Sequence, residues 1–257
     1  MSVYLVTGGG TGIGAAIVAR LVRGGHTVIA CGRRPGPLDE AAAATGCETA
    51  VMDAADGAAV RGVVADVLAR HGRIDGVVAN AGGHGYSDVG ATDDAAWRSS
   101  LQANLDTAFV TARESLPALR ASGGAICIIS SLAGLRAAPE TAGYTVGKHA
   151  LIGLMRSLAR DYGQFGVRTN AVCPGWVRTP MADAEMAQLV SDGAAADVEA
   201  AYGVVTKDVP LRRPADPAEI AGVVAFLMGP DATYINGASI VVDGGSHIVD
   251  VPTLAFG

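Results

Sequence analysis

Short apolar runs alternate with amphipathic helical stripes along the whole chain, and this alternation constrains the fold more than any other feature. The runs are VYLVT at 3–7, HTVIAC at 26–31, CETAVM at 47–52, IDGVVAN at 74–80, AICIIS at 125–130, VRTNAV at 167–172 and ASIVVD at 238–243. Most are nearly continuous, as expected of parallel strands buried on both faces. Between them the spacing i, i+3, i+4, i+7 recurs. Val60, Val63, Val64, Val67 and Leu68 form one stripe; Leu151, Leu154, Met155, Leu158 and Tyr162 form another. A longer one takes in Leu101, Leu105, Phe109, Ala112, Leu116 and Leu119. Asp216, Pro217 and Glu219 mark a late helix start, and Gly229-Pro230 its end. The pattern predicts an α/β fold: a doubly wound, mostly parallel seven-stranded sheet with helices on both faces, joined by right-handed βαβ units. No linker or compositional break divides the 257 residues, so residues 1–257 read as a single domain. Only 181 to about 215, Ala- and Asp-rich without a strand, interrupts the alternation. Such an insertion in a compact domain reads as a lid over a binding site.

Composition narrows the function classes. Nineteen basic and 25 acidic residues leave a net charge of −6, which gives no footprint for nucleic acid or an anionic membrane. No apolar run is long enough to span a bilayer. The start, MSVYLVTGGG, runs from strand into glycine without the charged and apolar regions of a signal peptide. Cys31, Cys47, Cys127 and Cys173 form no CxxC, and three of them sit in strand-like runs, where a reduced buried thiol is expected. A cytoplasmic protein is the resulting expectation. The five histidines show no ligand spacing, so no metal is expected. Of the 19 basic residues only Lys148 and Lys207 are lysines, which gives weight to where a lysine stands.

Four motifs carry chemistry. TGGGTGIG, Thr7 to Gly14, follows the first strand and opens the first helix. Glycines there permit a tight turn and close approach of a pyrophosphate to backbone amides at a helix N-terminus, although a plain tight turn has the same composition. After the second strand, Gly32 stands where dinucleotide folds place an acid for the ribose 2′-hydroxyl, followed by Arg33 and Arg34. Two guanidiniums suit a 2′-phosphate, hence NADP over NAD; a solvated basic turn is the alternative. Tyr144 and Lys148 are four apart, so on a helix they share a face. A cation near a phenol lowers its pKa toward a useful acid/base value, unless the two are merely a surface pair. Ser130 and Ser131 follow the fifth strand, in the crevice where open α/β sheets bind ligands, and are equally able to serve as turn formers.

Taken in order, TGGGTGIG, Asp53, Asn80-Ala81-Gly82, Asn104, Ser131, Tyr144-x3-Lys148, PGWVRTPM at Pro174–Met181 and DGG at Asp243–Gly245 closely resemble the short-chain dehydrogenase/reductase family, over residues 3 to about 248. The resemblance implies Tyr144 as general acid/base and Lys148 as the cation that lowers its pKa and binds the nicotinamide ribose. It further implies Ser131 as the group that polarises the substrate oxygen, and Asn104 as holder of a relay water. Gly8, Thr11, Gly12, Ile13 and Gly14 would cradle the pyrophosphate, and Asp53 and Ala54 would meet the adenine. Asn80, with Ala81 and Gly82, would brace the fourth strand beside the cofactor. Pro174 and Gly175 would also contact the cofactor, and Val177 and Thr179 would hold the carboxamide. A homotetramer is implied as well.

His84, Tyr86, Leu132, Ala138, Trp176, Met181 and Met186, with Leu189, are the candidate substrate-lining residues, mostly apolar; Arg178 is the one cation expected nearby. The general look is that of a 3-oxoacyl-carrier-protein reductase-type ketoreductase acting on a small-molecule ketone or alcohol. An NAD-dependent alcohol dehydrogenase of the same fold and a non-catalytic dinucleotide sensor are the alternatives. A nucleotide-sugar epimerase is disfavoured by chain length. The apolar tail HIVDVPTLAFG suggests burial against a neighbouring subunit.

Overall fold

The computed structural model describes residues 1–256. Each apolar run becomes a strand: β1 (Val3–Thr7), β2 (Thr27–Gly32), β3 (Glu48–Val51), β4 (Gly76–Ala79), β5 (Ala125–Ile129), β6 (Arg168–Pro174) and β7 (Ser239–Val242). They pair in the order β3-β2-β1-β4-β5-β6-β7, and every pairing is parallel. Strand order reverses direction between β1 and β4, which opens a crevice at their carboxyl ends.

The helices are α1 (Gly12–Arg23), α2 (Pro35–Thr45), α3 (Gly57–His71), α4 (Asp94–Leu101), α5 (Thr107–Ser122), α6 (Ala142–Tyr162), α7 (Pro180–Ser191), α8 (Val198–Thr206) and α9 (Pro217–Met228). Side chains of one strand feed two cores because successive residues face opposite ways. Leu5 packs with Val60 and Val64 of α3, Leu116 and Leu119 of α5, and Leu151 and Met155 of α6. Tyr4 and Val6 pack with Ile17 and Leu21 of α1, Leu38 of α2, and Ile220 and Val224 of α9. Each fully buried aliphatic side chain contributes roughly 1.5–3 kcal/mol, so the two layers fix the sheet between them. At α9 the expected start signal is a complete capping box: Asp216 accepts from the first turn and Glu219 accepts from the Asp216 amide.

The stripe from Leu101 to Leu119 is not one helix. A π turn, Gln102–Asp106, separates α4 from α5. The wider turn shifts the phase of the buried face, so Phe109 is 45% exposed while Ala108, Val110 and Ala112 are buried.

Residues 181–215 contain no strand; they are built from α7, α8 and a connecting loop. Two backbone hydrogen bonds pinch the base of the insertion, Arg178 N–H to Ala215 O at 2.9 Å and Ala215 N–H to Trp176 O at 2.9 Å. Inside, Ala182, Met186, Ala201 and Tyr202 form a separate small core. No helix among the described residues is long and apolar enough to cross a membrane, and no group of His, Cys, Asp or Glu among them is arranged to hold a metal ion.

Candidate active site

Two cavities open over the carboxyl ends of the strands. The first, about 600 Å³, is bounded by Thr7, Gly8 and Thr11 of the glycine turn, Arg33 and Arg34 after β2, Asp53 and Ala54 after β3, and Ala81 and Gly82 after β4. Its shape depends on glycine. Gly8 has φ +65°, a left-handed conformation that side chains disfavour. A Cβ on Gly14 would lie 2.0 Å from the Gly8 carbonyl oxygen, so α1 starts closer to the turn than any other residue permits. Thr11 precedes α1 without capping it by its side chain, which leaves the amides of the first turn open to an anion. Arg33 and Arg34 are exposed and have no carboxylate partner among the described residues. Asp53 accepts from Ala55 N–H at 2.9 Å and keeps its second oxygen for the cavity. Asn80 lines neither cavity. Its amide donates to Thr7 O at 3.0 Å and Gly8 O at 3.3 Å, tying β4 to the turn. These features fit a dinucleotide: a bare backbone cradle, open helix-end donors, and cations at one end.

The second cavity, about 450 Å³, is bounded by Ser131, Leu132, Ala138, Tyr144, Pro174, Gly175, Trp176, Val177, Thr179 and the lid. Ile13 lies here and not in the first cavity, and Met181 borders both. Pro174, Gly175, Val177 and Thr179 line the second cavity and not the first. Thr179 caps α7 by accepting from Ala182 N–H at 3.2 Å.

Ser131 and Tyr144 line this cavity, and Lys148 stands close to Tyr144. Ser131 Oγ accepts from Ala133 N–H at 3.1 Å, so its own hydrogen is free to be donated. Lys148 is 5% exposed and lines neither cavity. Its Nζ donates to Ile129 O at 3.0 Å and sits 5.6 Å from the Tyr144 ring centroid. No carboxylate pairs with it among the described residues. Burial therefore pushes its pKa down to about 8.

The expectation that Lys148 lowers the Tyr144 pKa is not met. Burial raises it, outweighing a hydrogen bond toward Ser131, and the Glu185 carboxylate adds to the rise. Stripping water from a phenol penalises its anion more than the Ser131 hydrogen bond repays.

Asn104 is 1% exposed, within the π turn. Its Oδ1 accepts from Gly83 N–H at 2.9 Å, and its Nδ2 donates to His84 O at 2.7 Å and Ser100 O at 3.0 Å. It straps the loop after β4 onto the turn. A Cβ on Gly82 would lie 3.5 Å from both Asn104 Oδ1 and Lys148 Nζ, so the two polar atoms flank one small slot.

Several substrate assignments need correction. His84 borders the first cavity, not the second, because its carbonyl is held by Asn104 and Ser100. Met186 is 1% exposed inside the lid's own core, and Leu189 packs against that core, because both lie on the face of α7 turned to α8. Arg178 is not a lining residue. It pairs with Glu199 at 2.7 Å and stacks on Tyr202, pinning α8. The cations that border the second cavity are Arg136 and Arg213, neither singled out by sequence. Glu185 was missed as well. Its spacing of four from Met181 on one helix face was the available signal.

Comparison with known proteins agrees with this geometry. A family model described as "Enoyl-(Acyl carrier protein) reductase" matches residues 8–247. The chain is 45% identical to Protein MoaE of Klebsiella aerogenes over 255 residues, covering 99% of this chain and 98% of that one. It is 35% identical to levodione reductase of Leifsonia aquatica, covering 95% of this chain and 93% of that one. The chain belongs to the short-chain dehydrogenase/reductase family. Among solved structures of the family, an actinorhodin polyketide ketoreductase variant with NADPH superposes at a TM-score of 0.88 with 32% identity, over 95% of this chain and 96% of that one. The family member described here is thus an oxidoreductase with a nicotinamide dinucleotide cofactor, on the Rossmann-like sheet read from its sequence.

Proposed function

We propose that the protein interconverts a ketone and a secondary alcohol with NADP(H), using Tyr144 as general acid/base. The observation that carries the reading is that Ser131 and Tyr144 line one cavity while a buried, carboxylate-free Lys148 holds its Nζ 5.6 Å from the Tyr144 ring centroid. When bound, the nicotinamide supplies hydride to the carbonyl carbon or takes it from the alcohol. Ser131 donates its free hydrogen to the substrate oxygen. Tyr144, whose phenol burial keeps protonated, gives its proton to that oxygen in reduction. Lys148 keeps two N–H donors beyond the Ile129 carbonyl, for the nicotinamide ribose and for the relay water in the slot by Gly82. Its charge stabilises the phenolate at the moment the proton leaves. A cofactor sensor would have no use for a buried lysine maintained at this cost.

Asp53 and Ala54 meet the adenine, and Arg33 and Arg34 bind the 2′-phosphate, since Gly32 leaves no acid to repel it. The chain acts as one cytoplasmic catalytic domain under a lid at 181–215. Phe109 on α5, Phe226 on α9, and Ile248, Val251 and Phe256 toward the tail are exposed apolar groups that support assembly, as a homotetramer. Light scattering checks the assembly, with and without Val251–Gly257. The function is tested by NADPH consumption on a panel of ketones. Tyr144→Phe should lower kcat/KM by about 10²–10⁴-fold; a Phe variant as active as wild type would refute the mechanism.

A further inference from the structure

The wall of the second cavity opposite Ser131 carries a group that the proposed chemistry does not use. Glu185, half-buried on α7, faces the cavity together with Tyr86 and Tyr144. The two tyrosine rings lie 5.3 Å apart, centroid to centroid. The Tyr86 hydroxyl is placed between the Met181 sulfur, at 3.7 Å, and the Glu185 carboxylate; burial raises both phenols and the Glu185 charge adds to the rise. No cation reaches Glu185 among the described residues. Arg213 is taken up by Glu219 at 2.7 Å, and Arg136 stands exposed, donating to the carbonyls of Leu135 and His247. The remaining surroundings are largely apolar: Leu132, Ala138, Trp176, Val205 and Val209.

A carboxylate held in an apolar cavity without a counter-ion is costly in isolation, and here its own pKa is raised by that burial. It is satisfied by a ligand that brings the missing positive charge. The aromatic faces of Tyr86, Tyr144 and Trp176 attract the same charge. We propose that Glu185 selects a substrate bearing a protonated amine close to its carbonyl or hydroxyl carbon, with the rest of the molecule apolar. Of the three acids that border the cavity, Glu219 is paired with Arg213 and Asp243 with His247, so Glu185 is the acid left for a ligand, and an ammonium on a largely apolar body suits it. The inference deepens the ketone-reduction reading and rests on it for the identity of the reacting group, but not for the cation site itself.

The test compares aminomethyl phenyl ketone, protonated, with its neutral isostere ethyl phenyl ketone, in NADPH consumption by the full chain. Wild type should prefer the ammonium ketone by tenfold or more in kcat/KM. Glu185→Gln should reduce that ratio by about 30-fold, since it removes one member of a desolvated charge pair, and Glu185→Asp should restore part of it. In parallel, binding of protonated benzylamine is followed by tryptophan fluorescence, with toluene as the neutral control. Amine binding to wild type that is lost in Glu185→Gln supports the site even if neither ketone is turned over, in which case the ketone-reduction reading fails alone. A wild-type ratio near one, or equal binding of benzylamine and toluene, overturns the cation site and leaves ketone reduction standing. If Glu185→Gln does not fold, the wild-type ratio and the wild-type binding pair still decide.

Discussion

The cofactor cavity and the substrate cavity share a border at Met181, yet they are built from different material. The first is shaped by backbone: a glycine turn, the open end of α1, and strand ends tied together by Asn80. The second is shaped by side chains, many of them carried on a lid with its own small core. A backbone cradle reads one ligand feature, a pyrophosphate, and tolerates little change. A side-chain wall on an insertion can be altered residue by residue without disturbing the sheet. The difference explains why one half of the site follows from the family and the other half must be read from this chain.

The comparison can be broken at Lys148, which lies near Gly82 of the first cavity and Tyr144 of the second. Lys148→Met should cut kcat/KM by about 10²–10⁴-fold, the range for losing acid/base assistance. It should also stabilise the fold near neutral pH. Burial holds the folded-state pKa at about 8, below the ordinary 10.5, so the unfolded chain binds more protons between those values and wild-type stability rises with pH through that window. At pH 7 wild type bears the full cost of the buried charge, and the methionine variant should gain up to ~3 kcal/mol, a gain that fades toward pH 10.5. Denaturant melts at both ends of the window check the sign.

On the backbone side, Gly14→Ala places a methyl against the Gly8 carbonyl and should cost ~3 kcal/mol or more, with loss of dinucleotide binding in calorimetry. Gly32→Asp sharpens the contrast. A Cβ there meets only the Leu38 side chain, at 3.7 Å or beyond, so the fold accepts it. Its carboxylate opposes a 2′-phosphate beside Arg33, and preference should move toward NADH by about 100-fold in the ratio of kcat/KM values. An unchanged ratio would separate Arg33 and Arg34 from cofactor choice. The smallest effect is expected in the lid. Arg178→Ala removes an exposed ion pair with Glu199 and should move the melting midpoint by less than about 3 °C, with a modest rise in KM for the ketone.

Much of this was legible before any coordinates. Seven apolar runs matched seven strands to within two residues at every end; the inner strands β1, β2, β4, β5 and β6 are covered on both faces and have no polar alternation to hide them, whereas the edge strand β3 alternates in exposure. Asp216 and Glu219 announced a capping box, and the box is there. The π turn at Gln102–Asp106 was not legible. One extra residue in the turn leaves the hydrophobic spacing almost intact: Ala112, Leu116 and Leu119 stay buried, and of the stripe beyond the turn Phe109 is the residue that faces out. Met186 and Leu189 were misplaced for a related reason. Apolar residues in an insertion are drawn equally to a ligand and to each other, and here a second lid helix took them.

Local chemistry along the chain determined the apolar runs, the glycine turn and the Tyr144–Lys148 pair, because each depends on spacing within a single strand, turn or helix; Asn104 and the role of Ser131, on other elements, came through the family resemblance. Tertiary structure alone decided the charge balance around them. Whether Lys148 pulls the Tyr144 proton down or burial holds it up depends on how much water remains at both groups. Whether Arg178 or Glu185 faces the substrate depends on which way α7 and α8 turn when they pack. Burial and facing are set by distant residues meeting in space, and no spacing within the sequence records them.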